Sequence, residues 1–144
     1  MNIKIIHTLK EMKKLENLRY EVLNITQEIQ EDNFYIREAK NKRIIPFALY
    51  YYNDIVAGAY ISSINNSIYI DYIFVKDIYQ NTGLRLGRTL LEYILNNKEI
   101  IEEFFDKEFY YSYLEPIGEK QEKIFEKIGY RKTNSIFGQY KKRI

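Results

Sequence analysis

The sequence predicts a single domain of the mixed α/β class, of the α+β type. Three β-prone segments follow one another directly in the middle of the chain, and segments with helical apolar spacing lie on both sides of them. No internal repeat, low-complexity tract or Pro/Gly-rich linker divides the chain. Its 144 residues are enough to bury one hydrophobic core, so we expect one domain over residues 1–144.

The first part of the chain is predicted to form a short strand and two helices. The strand covers residues 3–8, and the apolar residues from Leu9 to Val22 then recur at helical spacing. A second helix is predicted from about residue 26 to residue 39, with Ile29 and Ile36 on its apolar face.

The pattern changes after Pro46, where three β-prone runs are separated by polar turns. The runs cover residues 47–52, 55–61 and 67–75, with Asn-Asp and Asn-Asn pairs between them. Strands joined by such tight turns pair with their neighbours along the chain, so we expect an antiparallel meander.

Two further helices and two further strands are predicted in the last part of the chain. In order, these are a helix that follows a loop at 80–87, a strand at 104–114, a helix at 117–128 and a closing strand, straight or bent, at 130–142. The first of these helices has its buried stripe at Leu86, Leu90, Ile94 and Leu95. Gly129 suits the C-terminal cap of the second.

The charge balance is nearly even, with 22 Lys and Arg against 20 Asp and Glu and a net charge of +2. Nucleic-acid-binding domains usually carry a marked basic excess, so we expect no nucleic-acid partner. No apolar run approaches the roughly 20 residues that cross a bilayer, and the N-terminus becomes polar too quickly for a signal peptide. We therefore expect a cytoplasmic protein with no membrane partner.

Cysteine is absent from the sequence and His7 is the only histidine. The lack of cysteine excludes disulfides, thiolate metal sites and cysteine nucleophiles. A single histidine argues against histidine-rich zinc sites and Ser-His-Asp triads. We therefore expect no metal, and acid–base chemistry has to come from Asp, Glu, Tyr, a backbone group or water.

The segment from residue 69 to residue 91 combines a strand, a glycine-bearing loop and the start of a helix. Such a loop directs several unpaired backbone N–H groups toward one point, and the helix dipole adds positive potential there. Arg85 and Arg88 lie in the same turn and offer charge-assisted contacts to phosphate oxygens. The segment is a candidate diphosphate site; the alternative is an ordinary strand-to-helix turn with solvated arginines.

This segment resembles motif A of the GNAT superfamily of acetyltransferases. In that motif a strand ending in valine leads to Gln/Arg-x-x-Gly-x-Gly/Ala and then a helix; here Val75 ends the strand, and the run from Gln80 to Gly83 supplies Gln-x-x-Gly. The run from Ile124 to Tyr130 is similar to the Phe-Tyr-Glu-Lys-Leu-Gly-Phe ending of the family's last helix. The order of elements also matches, so the resemblance spans nearly the whole chain.

The resemblance implies a GNAT-like fold, in which a central, mostly antiparallel sheet flanked by helices has splayed fourth and fifth strands. The pantetheine arm of acetyl-CoA would lie between those strands and pair with main-chain groups near Phe74 and Val75. A backbone N–H there would hold the acetyl carbonyl and stabilise the oxyanion. The residues assigned to acetyl-CoA are Phe74, Val75, Gln80, Asn81, Thr82, Gly83, Leu84, Arg85, Leu86, Gly87 and Arg88.

The loop departs from the family pattern in either of two alignments. If Gly83 is the family's middle glycine, Arg85 stands where Gly or Ala belongs. If the residues from Leu86 onward match the family's Ile-Gly-x-x-Leu-Leu, the loop has two extra residues and Arg85 replaces a glycine. We prefer the second alignment, because it places Leu90 and Leu91 where the helix packs.

The last helix departs from the family pattern at two positions. The tyrosine that the family often carries there, proposed to protonate the leaving thiolate, is Phe125 in this chain. The asparagine often found at the start of that helix falls at Gly118. A general acid has to be another residue or water.

Asp71 and Glu115 are the two candidates for the general base. Asp71 is the one acid in an apolar and aromatic strand, where desolvation would raise its pKa toward a useful range. Strand alternation places it on the same face as Tyr69 and Ile73; the alternative is a structural aspartate paired at an edge or with a loop. Glu115 follows the fifth strand, and Tyr113 within that strand is a candidate general acid.

These features together predict an acetyl-CoA-dependent N-acetyltransferase, an acyltransferase that moves the acetyl group to a primary amine of a small molecule or peptide. The transfer would be a direct attack in a ternary complex. Three acids in the second predicted helix, Glu28, Glu31 and Asp32, would favour a cationic acceptor if they form a rim; a solvated helix face is the alternative. Dimers are common in this fold, so a homodimer is the assembly to test.

The alternative function is a catalytically impaired GNAT-fold protein that binds acyl-CoA as a sensor or partner module. Phe125 and the irregular loop keep this alternative open. An α/β nucleotide-binding domain fits less well, because such domains alternate strands with helices, whereas three strands follow one another directly here.

Overall fold

The computed structural model describes residues 1–80, 82–136 and 138–144. Within these residues the helices are α1 (Leu9–Val22), α2 (Phe34–Lys40), α3 (Leu86–Asn96), α4 (Lys98–Phe105) and α5 (Gly118–Ile128), with a 3-10 turn at Asp77–Tyr79. The strands are β1 (Asn2–Ile5), β2 (Ile44–Tyr51), β3 (Asp54–Ile64), β4 (Ser67–Val75), β5 (Tyr111–Leu114), β6 (Arg131–Lys132) and β7 (Tyr140–Arg143). None of the described helices is both long and apolar enough to cross a membrane.

All the described strands join one sheet in the order β1-β2-β3-β4-β5-β7-β6. Neighbouring strands are antiparallel except β4 and β5, which run parallel. Because β2, β3 and β4 are neighbours both in the chain and in the sheet, the predicted meander is confirmed. The mixed α/β class, with a mostly antiparallel sheet flanked by helices, is confirmed as well.

β4 and β5 pair over only part of the length of β4. The residues from Ser67 to Ile70 pair with β5, whereas β4 continues to Val75. β5 ends at Leu114, and the chain then turns into α5. Beyond Ile70 the two strands part, as predicted for strands four and five, and one edge of β4 has no strand partner among the described residues. We call this opening the β4–β5 gap.

A β-bulge lies in β4 beside the gap. Tyr60 of β3 pairs with Asp71 and Gly58 pairs with Phe74, so β4 has one residue more than β3 across this interval. Tyr72 has a left-handed backbone conformation with φ of 40°. An extra residue in such a conformation bends its strand and re-aims the side chains that follow.

The bulge changes the face on which Asp71 lies. Asp71 accepts a hydrogen bond from Tyr35 of α2, whereas Ile73 packs in the core cluster that includes the side chains of α3. The prediction that Asp71 and Ile73 share a face is therefore wrong. Its physical reason is that simple alternation assumes a regular strand, and the extra residue at Tyr72 shifts the alternation by one.

The core lies on both sides of the sheet. Phe47 and Leu49 of β2 pack with Leu90 of α3 in one cluster, which also takes in side chains of α4 and α5. Ala48, between them in sequence, packs with Leu15 in a second cluster that is covered by α1 and α2. This alternation along a central strand is what a sheet buried on both faces requires.

The second predicted helix is shorter than expected. Residues 26–33 form a loop with turns, and α2 begins only at Phe34. Asn33 caps α2, because its side-chain oxygen accepts from the backbone N–H of Ile36 at 2.9 Å. A capping residue has a non-helical backbone, so the helix does not extend back to residue 26 and that predicted start is wrong.

The aromatic run near residue 104 is not a strand as predicted. Phe104 and Phe105 end α4, a helix absent from the sequence prediction, and β5 is limited to Tyr111–Leu114. Ile101 of α4 is fully buried, so packing of an amphipathic segment outweighs the β-propensity of its aromatic residues. The closing strand is bent, as one of its two predicted forms, into the antiparallel pair β6 and β7.

Candidate active site

A cavity of about 250 Å³ lies at the β4–β5 gap, and we call it the gap cavity. Its lining residues are Tyr35, Tyr69, Ile70, Asp71, Tyr72, Tyr113, Leu114, Glu115 and Gln139. The three residues that the sequence singled out for catalysis, Asp71, Tyr113 and Glu115, all belong to this lining. The structure brings them together because the parallel pairing of β4 and β5 ends beside each of them.

Two larger surface depressions lie elsewhere, one of about 510 Å³ beside α1 and the loop after it and one of about 420 Å³ beside α5 and β6. Neither contains a predicted catalytic residue. Glu28 lines the depression at α1, and Glu31 pairs with Lys13 at 2.7 Å. Asp32 is exposed in the same loop. These three acids lie on a loop rather than a helix, and none of them lines the gap cavity.

The Asp71 carboxylate lies in the gap cavity under two opposing influences. Burial raises the pKa of Asp71 above its ordinary value, and the negative charge of Glu115 adds to this increase. The hydrogen bond from the Tyr35 hydroxyl, 3.2 Å from Asp71 Oδ2, and the charge of Arg19 act in the opposite direction. Burial prevails, so the carboxylate is a stronger base than an exposed aspartate.

Tyr35 is held by a polar network between α1, α2 and β3. Its ring stacks on Tyr60 with 4.2 Å between centroids, and the guanidinium carbon of Arg19 lies 4.6 Å from the Tyr35 ring centroid. Glu16 is fully buried and accepts hydrogen bonds of 2.7 Å each from Arg19, Asn33 and Tyr60. A buried carboxylate needs such partners, and they fix the elements that direct Tyr35 toward Asp71.

Tyr113 stacks on Tyr69 across the parallel strands. The two residues are paired in register, and their rings lie 4.9 Å apart with planes within 10° of each other. The Lys141 ammonium nitrogen lies 4.1 Å from the ring centroid of Tyr111 and 5.5 Å from that of Tyr113. One wall of the gap cavity is therefore a packed pair of aromatic rings.

The uncovered edge of β4 presents main-chain groups to the gap. The Lys76 N–H donates to the Val56 carbonyl of β3 at 2.8 Å, and successive residues of a strand turn their main-chain groups to opposite edges. Phe74, two residues before Lys76 and opposite Gly58, turns its main-chain groups toward β3 by the same alternation. Ile73 and Val75 consequently turn their N–H and C=O groups toward the gap.

Two glutamine side chains contact this edge. Gln80 Nε2 donates to the Val75 carbonyl at 2.8 Å, and Gln121 Nε2 lies 3.4 Å from the Ile73 carbonyl. Gln121 also accepts from the backbone N–H of Ile117 at 2.7 Å, so it connects the start of α5 with β4. Both amides lie where a ligand following the β4 edge would pass.

The start of α3 leaves several amides directed away from the helix. The first helical hydrogen bond runs from Thr89 N to Arg85 O at 2.9 Å, so the N–H groups of Leu86, Gly87 and Arg88 precede the helical ladder. Arg85 is at the N-cap with φ of 52°, a conformation in which glycine is common. Arg88 donates to Glu92 at 2.7 Å. Two arginine side chains and three backbone N–H groups without a helical acceptor therefore lie together at the N-terminus of α3.

The helix register agrees with the preferred alignment. Leu86 begins α3, and Leu90 and Leu91 are fully buried. A Cβ on Gly87 would lie 3.4 Å from Val75 Cγ2, which is an ordinary van der Waals contact, so α3 packs against β4 at this position. Arg85 in a left-handed conformation occupies the position where that alignment has a glycine.

The loop before α3 is held by its own polar groups. The Thr82 hydroxyl donates to the Tyr79 carbonyl at 2.9 Å, and the Leu84 N–H lies 3.4 Å from the same hydroxyl oxygen. Gly83 has φ of 84° and open space around its Cβ position. Asn81, also assigned to the cofactor, lies outside the described residues.

The last helix has neither the tyrosine nor the asparagine of the family pattern. Phe125 is buried in the core at 4% exposure, and Gly118 begins α5 with φ of 82°. Several lining or bordering residues were not among the predicted site residues, namely Tyr35, Tyr69, Tyr72, Gln121 and Gln139. With 15 tyrosines in the chain, nothing in the sequence distinguishes the ones at the gap cavity.

No protein-family model and no curated protein matches the chain, but solved structures do. The ribosomal-protein-S18-alanine N-acetyltransferase from Escherichia coli aligns with a TM-score of 0.71 at 16% identity, over 99% of this chain and 93% of that chain. The PaiA N-acetyltransferase from Thermoplasma acidophilum, solved in complex with coenzyme A, aligns with a TM-score of 0.66 at 15% identity over the whole of both chains. The chain has the GNAT fold.

A third structure with this GNAT fold bears on possible partners. The AtaT-AtaR complex bound to DNA aligns with a TM-score of 0.67 at 13% identity, over 99% of this chain and 94% of that chain. A complex that contains DNA therefore occurs among structures of this fold. The even charge balance of the present chain does not by itself exclude a nucleic-acid partner.

Proposed function

We propose that this protein transfers the acetyl group of acetyl-CoA to a primary amine of a small molecule or peptide, by direct attack in a ternary complex. One observation carries the proposal most strongly. Asp71, Tyr113 and Glu115 line one cavity. This cavity lies beside the part of β4 that continues past its pairing with β5. In a GNAT fold, this arrangement combines a base, a hydroxyl donor and a main-chain surface for a cofactor.

The residues present fit a coenzyme A molecule. The Ile73 and Val75 main-chain groups offer hydrogen bonds to an extended pantetheine arm, next to Phe74. The amides at the start of α3, with Arg85 and Arg88, suit the diphosphate. Gly87 and the loop residues Gln80, Thr82, Gly83, Leu84 and Leu86 border the same path. When bound, acetyl-CoA would supply an activated acetyl group as a thioester.

The carboxylate of Asp71 is the proton acceptor in this proposal. Its pKa is raised by burial, which brings a base closer to the operating pH and improves proton transfer. An ammonium loses two protons when it becomes an amide. Asp71 accepts one and passes it to solvent, while the other ends on the released thiol.

Tyr113 is the general acid in this proposal. Its hydroxyl holds a proton for the departing thiol. Phe125 has no exchangeable proton and is buried, so it does not serve. Tyr113 lines the gap cavity together with Asp71 and Glu115. Its stacking on Tyr69 restricts the ring, which keeps the hydroxyl at a defined place.

Measuring binding and turnover on the same samples tests the proposal. Calorimetric titration with acetyl-CoA reports binding, and release of free thiol in the presence of amines reports transfer. Binding with amine-dependent thiol release is the expected result. Binding without release for any amine would overturn acetyl transfer and favour a sensor, and lack of any binding would overturn both functions.

A further inference from the structure

We infer that the acceptor is a small aliphatic amine that enters the gap cavity as a cation, and that Glu115 recognises its charge. This inference rests on the proposed acetyl transfer and specifies its acceptor. Four observations carry it: the charges of the lining, the state of Glu115, the aromatic walls and the size of the cavity.

The lining of the gap cavity contains two carboxylates and no basic residue. Two basic residues lie behind the lining tyrosines. Arg19 lies over Tyr35 and forms two hydrogen bonds to the buried Glu16, at 2.7 and 3.0 Å. The Lys141 ammonium nitrogen lies nearer to the ring of Tyr111 than to that of Tyr113, at 4.1 and 5.5 Å. A ligand with a carboxylate or phosphate near its amine would be repelled by the two lining carboxylates, whereas a cation would be attracted to them.

Glu115 has no partner of its own in the described chain. It is half-buried, and no described residue forms a hydrogen bond or an ion pair with it. Asp71 differs, because Tyr35 already donates to its Oδ2. A half-buried carboxylate without a counter-charge is costly, and an ammonium ligand would compensate it. Glu115 thus pairs with the ammonium as it enters, and the positive charge of the amine is lost when Asp71 accepts its proton.

Aromatic rings form much of the remaining lining. Four tyrosines contribute to it, and two of them, Tyr69 and Tyr113, are stacked and mutually fixed. Aromatic rings attract alkylammonium groups and also tolerate the methylene groups next to them. Walls of this kind beside two carboxylates suit an alkylammonium better than an anionic or strongly polar ligand.

The volume of the gap cavity limits the size of the acceptor. At about 250 Å³ it lies just below the roughly 300–1,000 Å³ that is usual for ligand pockets. An unbranched chain of a few carbons fits such a space, whereas a large ring system does not. The acceptor end that enters is therefore small, whatever the remainder of the molecule outside the cavity.

Three amines that differ in charge test the inference by initial rates. The compounds are n-butylamine, a simple cation; 4-aminobutanoate, a similar chain that ends in a carboxylate; and aniline, which is uncharged at neutral pH. We expect n-butylamine to have a KM at least about tenfold below those of the other two, which corresponds to about 1.4 kcal/mol. Equal KM values for all three would overturn the inference while leaving acetyl transfer in place.

The variant Glu115→Gln separates charge recognition from catalysis. It should raise the KM for n-butylamine by about tenfold and leave the KM for aniline, which carries no charge, unchanged. Glu119→Gln, an exposed acid on α5 outside the cavity, is the matched control and should behave as the wild type. An unchanged KM for n-butylamine in Glu115→Gln would contradict the assigned role.

Direct binding decides the matter even where no amine is turned over. Calorimetric titration of n-butylamine into the protein saturated with coenzyme A should show binding that weakens about tenfold in Glu115→Gln. If this holds without any turnover, the cationic site stands and the proposed transfer fails. If n-butylamine binds the wild type and Glu115→Gln equally, or binds neither, the inference fails.

Discussion

Tyr35 of α2 donates a hydrogen bond to the Asp71 carboxylate of β4 across 3.2 Å. This contact links the helical layer to the strand that borders the gap. Asp71 is the residue just before Tyr72, where the β-bulge lies. A hydrogen bond to the charged form lowers the pKa of Asp71 against the larger upward effect of burial. Tyr35 thus acts through Asp71 as a positioning residue.

Replacement of Tyr35 by phenylalanine removes the hydroxyl and keeps the ring that stacks on Tyr60. We expect the pKa of Asp71 to rise further, so the acidic limb of the kcat/KM profile moves to higher pH. Losing one hydrogen bond to a charged group, about 1.5–3 kcal/mol, should lower kcat/KM by at least about tenfold. The matched control is Tyr69→Phe, which loses a hydroxyl in the same cavity without a bond to Asp71. Superimposable profiles for wild type and Tyr35→Phe would contradict this role.

Asp71→Asn tests the stability cost of the buried carboxylate. Burial raises the folded-state pKa of Asp71 above the unfolded value, so the stability it contributes is present at low pH and is lost as the pH rises through the folded pKa. Asparagine does not ionise, so the variant should have a higher free energy of unfolding than the wild type at pH 7. The difference in the free energy of unfolding between the variant and the wild type should shrink toward zero at pH values below the range in which carboxyl groups ordinarily titrate.

Urea unfolding at pH 7 and pH 3 measures this difference directly. Asp32→Asn, in an exposed loop, is the control and should change stability little at either pH. A lower free energy of unfolding for Asp71→Asn than for the wild type at pH 7 would contradict this prediction, because it would mean that folding stabilises the Asp71 carboxylate.

Local patterns in the sequence were sufficient for much of the fold. The apolar spacing from Leu9 to Val22 and the polar turns between the β-prone runs are properties of neighbouring residues, so they predicted α1 and the meander. Asp71 was identified for a similar reason, as a lone acid in an apolar strand. The glycine loop predicted the start of α3, where Leu86 begins the helix.

Features set by distant contacts were not predictable in this way. Asn33 caps the start of α2, and its side-chain amide donates to Glu16 of α1 at 2.7 Å. This contact joins two distant segments, and no local pattern encodes it. The bulge at Tyr72 has no glycine or other marker in the sequence. Tyr35 reaches Asp71 only because both of these features are present, so its role was not visible among 15 tyrosines.

Arg85→Gly tests the left-handed backbone at the start of α3. Arg85 has φ of 52° and ψ of 46°, a conformation that costs a residue with a Cβ about 1–2 kcal/mol. Glycine removes this cost and adds some freedom to the unfolded chain, so we expect a net gain of about 0.5–1 kcal/mol in the free energy of unfolding. Arg85→Ala lacks the guanidinium but retains the Cβ and should show no gain. Equal stability of the two variants would contradict the assigned conformation.

Gly83→Trp tests whether the loop before α3 binds the diphosphate. Gly83 has φ of 84°, and nothing lies within 4 Å of its Cβ position. Alanine and tryptophan impose the same backbone strain there, about 1–2 kcal/mol, and only tryptophan adds bulk. Calorimetry should therefore show coenzyme A bound at least about tenfold more weakly by Gly83→Trp than by Gly83→Ala. Equal affinities would remove this loop from the cofactor site.

The central claim is that Asp71 in the gap cavity removes the proton from an amine that receives the acetyl group. The initial rate of thiol release from acetyl-CoA at saturating n-butylamine, compared between the wild type and Asp71→Asn, tests it most directly. We expect the rate to fall by about 10²–10⁴-fold, with unchanged coenzyme A affinity in a parallel titration. A rate in Asp71→Asn equal to that of the wild type would contradict the claim.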